Sequence, residues 1–246
     1  MQIPKGLPAG IEEILKRVKD DIEVKETKRH VREEGKCPLC NGNGLIYNRY
    51  RKRYFNCKCQ SNKNVNSSMK GLSSKQLNKT FKNFIVWNET SKNMKDTTTN
   101  YYLRYERIVR SKNNSFALLG QEKSGKSHLL SALMNKFIFE KNKEVKYISL
   151  DKINEGILNN TTILEKYKNA ELLAIDNFLE TKKDINIIYN LLVYRGYRKL
   201  PVMITSKYSI EEIKAINQAI GQVISDITKG NRLNVIGKSN IYRLNN

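Results

Sequence analysis

Acid is what the middle of this chain lacks. From Gly35 to Asn114 seventeen lysines and arginines stand against three aspartates and glutamates, whereas residues 1 to 34 carry eight of each sign and residues 115 to 246 carry twenty against thirteen. Fourteen of the twenty-one excess positive charges therefore fall in one stretch. A coding bias toward lysine would raise glutamate too, so it does not explain the imbalance; a polyanionic partner does. No apolar run is long enough to span a membrane, which argues against a membrane protein. No internal repeat recurs. A secretory signal is also missing, so the expected compartment is the cytoplasm, where thiols stay reduced.

What is present is chemically specific. Residues 120 to 127, Gly120, Gln121, Glu122, Lys123, Ser124, Gly125, Lys126 and Ser127, complete the G-x-x-x-x-G-K-[ST] pattern of a phosphate-binding loop. Before it, Phe116 to Leu119 read as a buried strand; after it, Leu129, Leu130, Leu133 and Phe137 recur at helical spacing. The loop thus enters a helix N-terminus, where backbone N–H groups and the helix dipole can wrap a triphosphate. Lys126 is positioned to reach the β/γ-phosphates and Ser127 to hold magnesium. Downstream, Glu171 to Asp176 is an apolar run ending in an acid, as a buried parallel strand that delivers a carboxylate to the phosphates would be. Strands at 145–150, 171–176 and 202–205 alternate with helices at 185–195 and 210–216, with two short helices expected between the first two strands. A weaker helix and two short strands are expected to follow. This pattern predicts an α/β three-layer core with a mainly parallel sheet.

The order of these pieces resembles the DnaC/DnaI/IstB-type AAA+ proteins, in particular bacterial and phage replicative helicase loaders, over roughly residues 70 to 246. The resemblance rests on Thr80 to Phe84, Gly120 to His128, Leu172 to Asn177, Tyr194-Arg195, Pro201 to Ser206 and Gly237 to Leu244. It implies a P-loop NTPase that takes ATP and Mg2+, with Lys126, Ser127 and His128 at the nucleotide and Asp176 as the Walker B acid. It also implies Arg243 as a sensor arginine, a minimal lid, and self-association through the AAA+ domain when nucleotide is bound. Three departures leave hydrolysis open. Asn177 replaces a second acid and can orient a water without taking its proton. Lys207 stands where a polar sensor is usual, and Asp226 where an arginine finger is expected. Arg195, Arg198 and Arg232 are the other finger candidates, each read first as a surface or DNA-facing arginine.

The four cysteines make a second module. Cys37 and Cys40 form one C-x-x-C pair and Cys57 and Cys59 a C-x-C pair, sixteen residues apart, which suits a tetrahedral structural Zn2+. A disulfide is the alternative, disfavoured by a reducing compartment. His30 is read as an exposed helix residue. Leu45 to Tyr47 and Tyr54-Phe55 are expected to pair as a hairpin between the ligands. Around its tip Arg49, Tyr50, Arg51, Lys52, Arg53 and Tyr54 interleave cations with aromatics, which fits single-stranded DNA. A zinc hairpin with a solubilising basic tip remains the other reading.

Residues 1–34 predict an amphipathic helix, from Ile11, Ile14, Leu15, Val18 and Ile22. Residues 35–60 form the zinc module, 61–79 a flexible basic linker, and 80–246 the AAA+ domain. The helix either packs on the zinc hairpin or, as the resemblance implies, grips a hexameric helicase. The expected function is an ATP-dependent helicase loader in DNA replication. The alternatives are an IstB-like transposition helper and a nucleotide-gated adaptor or inhibitor with little turnover.

Overall fold

The structure, a computed structural model, describes residues 45–48, 53–57, 65, 67, 68, 71–150, 160–179 and 185–237. The chain divides into two compact units, 1–57 and 58–246. In the first, β1 (Leu45–Asn48) and β2 (Arg53–Asn56) form an antiparallel hairpin that pairs Tyr47 with Tyr54. Cys57 follows at once and is fully buried. The expected hairpin is present. Its connecting residues Arg49, Tyr50, Arg51 and Lys52 lie outside the described residues, as do segment 1–34 and Cys37, Cys40 and Cys59.

The second unit is built on one sheet. Strands β3 (Phe116–Gly120), β4 (Val145–Ser149), β5 (Leu172–Phe178), β6 (Val202–Ser206) and β7 (Arg232–Val235) lie in the order β4-β5-β6-β3-β7, every neighbouring pair parallel. The period of two in a pleated strand divides their side chains between two cores. Ala117, Leu119, Leu173, Ile175, Val202 and Ile204 pack with α5 (Ile185–Tyr197), α6 (Ile210–Ile216) and α7 (Gln218–Ile227). Phe116, Leu118, Leu172, Ala174 and Met203 pack with α2 (Glu89–Ile108) and α3 (Lys126–Phe139). The three expected layers follow from this division.

Helix α2 starts where Asn88 accepts from Ser91 N at 2.7 Å in a capping box. Its Met94, Thr98, Tyr101 and Tyr105 recur every three or four residues and are buried. Tyr101 and Tyr105 meet Phe137 of α3 with ring centroids 6.2 and 4.6 Å apart. Helix α4 (Thr161–Asn169) is the one described helix between β4 and β5; 151–159, where a second was expected, lies outside the described residues. Only β7 of the two expected final strands is described.

Two expectations change. Where it is described, the stretch read as a flexible linker is docked. Ser68 Oγ accepts from Val145 N at 2.8 Å, on the edge strand β4. The Asn135 amide of α3 donates to the carbonyls of Gln76, Leu77 and Lys79 at 3.0, 3.0 and 2.8 Å, which fixes the short helix α1 (Ser74–Leu77). Arg195, read as a surface residue, is fully buried. Its guanidinium donates to the carbonyls of Tyr167, Lys168, Ala170 and Pro201 at 2.7 to 3.0 Å, joining the end of α4 to the start of β6. Only a planar fork spans four such acceptors. Replacing it takes a donor from four carbonyls, of which Pro201 O keeps Leu173 N at 3.2 Å, so Arg195→Ala should lose about 3 kcal/mol in urea denaturation, and Arg195→Lys should recover less than half of that.

Candidate nucleotide site

The loop between β3 and α3 is shaped by two glycines. Gly120 has φ +97°, and a Cβ there would lie 2.1 Å from Val235 O, so no side chain fits. Gln121 N donates to that carbonyl at 2.6 Å, which pins the loop to β7. Gly125 has φ +92° and opens α3 without any side-chain cap, whereas Asn88, Asn160, Ser209 and Asn217 each cap their helices with a side chain. The first-turn N–H groups of α3 are thereby left to an anion, at the positive end of the dipole. Between the glycines, Lys123 also has positive φ (59°). Ser124 Oγ donates to Gln121 O at 2.8 Å, closing the turn.

Lys126 is nearly buried and its ammonium donates to Gln121 O and, at 3.3 Å, to Ser124 Oγ. Burial lowers its pKa to about 8, partly offset by Asp176 and Glu122. A cation held this close to desolvation gains from an arriving phosphate. Ser127 Oγ donates to Asp176 Oδ1 at 2.8 Å, which brings the start of α3 against β5.

Asp176 is buried, and more than Ser127 reaches it. Thr205 Oγ1, on the neighbouring strand β6, donates to Oδ1, and Tyr147 OH, on β4, donates to Oδ2 at 3.1 Å. Neither was found from the sequence; the register offers the signal, since Ser149 pairs with Asp176 and Ile175 with Ile204 at the same end of the sheet. Thr205 Oγ1 also accepts from Asn177 N at 3.2 Å. Asn177 has φ +55°, a left-handed conformation that asparagine tolerates better than most residues.

These groups line a cleft of about 790 Å³. Lys126, Ser127, Asp176, Asn177 and Lys207 share it with Phe84 and Trp87 on another wall. The Phe84 ring occupies the space beside Gly125, where a Cβ would come within 2.8 Å of it. His128 joins that wall to α3: its Nε2 lies 3.1 Å from Thr80 O and 3.0 Å from Asn83 Oδ1, and burial lowers its pKa. Arg195, Arg198 and Arg232 do not line the cleft; Arg232 instead donates to Ser225 O at 3.2 Å. Arg243 lies outside the described residues, and Arg53 and Tyr54 are described only as part of β2.

The hydroxyl of Ser127 and carboxylate of Asp176 form a hard-oxygen pair beside the anion cradle, a donor set that fits magnesium. Bound there, the ion would neutralise phosphate charge. Among the described residues no group of three or more His, Cys, Asp or Glu forms a metal cluster, and no described helix is long and apolar enough to cross a membrane.

No family model matches the chain. It is 28% identical over 189 residues to Bacillus subtilis uncharacterized protein YqaM, covering 70% of this chain and 60% of that protein. It is 30% identical over 162 residues to phage-like element PBSX protein XkdC of the same organism, covering 61% of this chain and 60% of that one. The matched part thus spans about 60% of these relatives. Among solved structures, DnaI superposes with TM-score 0.57 at 15% identity, covering 69% of this chain and 94% of that one. The DnaC helicase loader superposes with TM-score 0.55 at 16% identity, covering 67% of this chain and all of that one. AMPPCP-bound DnaA of Aquifex aeolicus gives 0.53 at 19%, covering 70% and 53%. The fold is that of an AAA+ P-loop NTPase. A triphosphate held at the start of α3 would meet Lys126 directly, so Lys126→Ala should weaken ATP binding at least tenfold, about 1.4 kcal/mol or more; unchanged affinity by calorimetry would contradict the assignment.

Proposed function

We propose that the protein is an ATP-dependent loader of a replicative DNA helicase, which binds single-stranded DNA and a hexameric helicase and uses its nucleotide state to time their release. The observation that carries this reading is the Ser127–Asp176 pair beside the uncapped start of α3, on a fold shared with DnaI and the DnaC helicase loader. Self-association through this domain when nucleotide is bound, a cytoplasmic setting and a phage or bacterial origin belong to the same reading. Affinity purification from a host lysate tests it. Recovery of a replicative helicase, identified by mass spectrometry and dependent on ATP, supports loading; recovery of a transposase instead points to an IstB-like helper and overturns it.

The hairpin module supplies DNA contact in this proposal. Arg49, Arg51, Lys52 and Arg53 would follow phosphates and Tyr50 and Tyr54 would stack on bases. Cys37, Cys40, Cys57 and Cys59 would hold a structural zinc, with the burial of Cys57 directly after β2 in support. Metal analysis should find about one zinc per chain; none, with a disulfide by mass, would refute it.

One observation favours a second reading, a nucleotide-gated adaptor or inhibitor with little turnover. Asn177 lines the cleft beside Asp176 where a second acid would take a proton from water. Its left-handed backbone makes Asp the replacement of choice, since a longer Glu would add about 1 kcal/mol of strain. Asn177→Asp should raise steady-state ATP hydrolysis several-fold, with or without single-stranded DNA. Brisk wild-type hydrolysis with no gain in the variant would rule the passive reading out.

A further inference from the structure

The edge of the sheet opposite the phosphate loop carries its own chemistry. Three connections meet there: the one from α2 into β3, the one from α5 into β6, and the one from α7 into β7. Asn114 braces the first two, its amide donating to Val109 O at 2.7 Å and Lys199 O at 2.8 Å. Asn231 braces the first and third, donating to Asn113 O at 2.8 Å, and Ser115 N donates to Ile227 O at 3.0 Å. These rigid connections present Arg110, Lys112, Arg198, Lys199 and Lys229, all exposed. Beside them Tyr197 is 87% exposed.

Charge is balanced differently on the two sides of the sheet. On the β4–β5 side Lys141, Lys143, Lys146 and Lys168 each lie within 3.0 Å of a glutamate. None of the five cations at the β3–β6–β7 edge makes an ion pair with a described residue, the connections 109–115, 198–201 and 228–231 carry no acid, and Asp226, in the last turn of α7, accepts from Gln222 at 2.9 Å. The helix macrodipole favours cations at the C-terminal ends of α2, α5 and α7, where Arg110, Arg198, Lys199 and Lys229 lie one or two residues past the helix; it does not account for Lys112, further along the connection from α2, or for the lack of any acid on the three connections. Exposed cations on three adjoining connections, with an exposed tyrosine at the head of one of them, are what single-stranded nucleic acid uses: cations along the phosphates and a ring face for a base.

We propose that this basal edge of the AAA+ domain is a second single-stranded nucleic-acid surface, with the five cations following the backbone and Tyr197 stacking on a base. It rests on the nucleic-acid part of the proposed function but not on the hairpin, whose residues it leaves untouched. The probe is a labelled oligothymidylate titrated by anisotropy at two salt concentrations, using the full chain. Changing all five cations to glutamine should weaken binding at least tenfold and lower the log–log salt slope by about 0.7 for each phosphate no longer neutralised, while ATP affinity stays unchanged. If that variant does not fold, Lys112→Gln/Lys199→Gln carries the same test, with a slope drop of about 1.4. Tyr197→Ala should cost roughly tenfold with no change in slope. Wild-type affinity in the charge variants at both salts would overturn the proposal and leave the hairpin as the DNA contact. Equal loss for duplex and single strand, with Tyr197→Ala silent, would overturn the single-strand assignment. An acidic protein that binds wild type and not the charge variant, with oligothymidylate binding intact, would make this a protein-docking face instead.

Discussion

A buried carboxylate has to be satisfied, and the way Asp176 is satisfied organises the site. Three hydroxyls reach it from three elements: Ser127 from the start of α3, Thr205 from β6 and Tyr147 from β4. Each is neutral, so the charge of the carboxylate is left to the nearby Lys126 ammonium and to an arriving cation. Because the donors come from both neighbouring strands and the helix, the loop cannot shift without disturbing the sheet. Gly120 adds the complementary constraint, since the loop leaves β3 at a point where only hydrogen fits against Val235.

The same geometry links the cleft to the rest of the domain. Asn177 N donates to Thr205 Oγ1, which itself donates to Asp176, so the residue beside the carboxylate and the carboxylate share one hydroxyl. Lys207, one residue past β6, lines the same cleft as Phe84 and Trp87. His128 ties α3 to Thr80 and Asn83, ahead of α2, and Asn135 ties it to α1. Helix α3 therefore connects the phosphate end of the cleft to the segment that leads into the domain.

Much of this was legible in the residues. The phosphate loop, its strand and helix flanks, the run ending in Asp176 and the alternation of strands and helices all report local periodicity, which a chain displays openly. What stayed hidden depends on distant partners. Thr205 and Tyr147 look like ordinary strand residues until register brings them to Asp176. Arg195 reads as a surface cation because its four acceptors are carbonyls, which carry no sequence signal. The serine- and asparagine-rich stretch before Thr80 reads as a tether by composition, although Ser73 and Gln76 form a capping box within it. Composition describes what a segment tolerates; the Asn135 amide decides where this one lies.

The uncapped start of α3, with Asp176 behind it, is arranged to hold a magnesium–nucleotide complex. Amide hydrogen exchange of the full chain with and without Mg·ATP tests this most directly, because the cradle is made of backbone N–H groups. Exchange should slow in residues 120–128 and in 172–178, and the protection should be lost when magnesium is chelated. Unchanged exchange in both segments at saturating Mg·ATP, or protection confined to other parts of the chain, would contradict it.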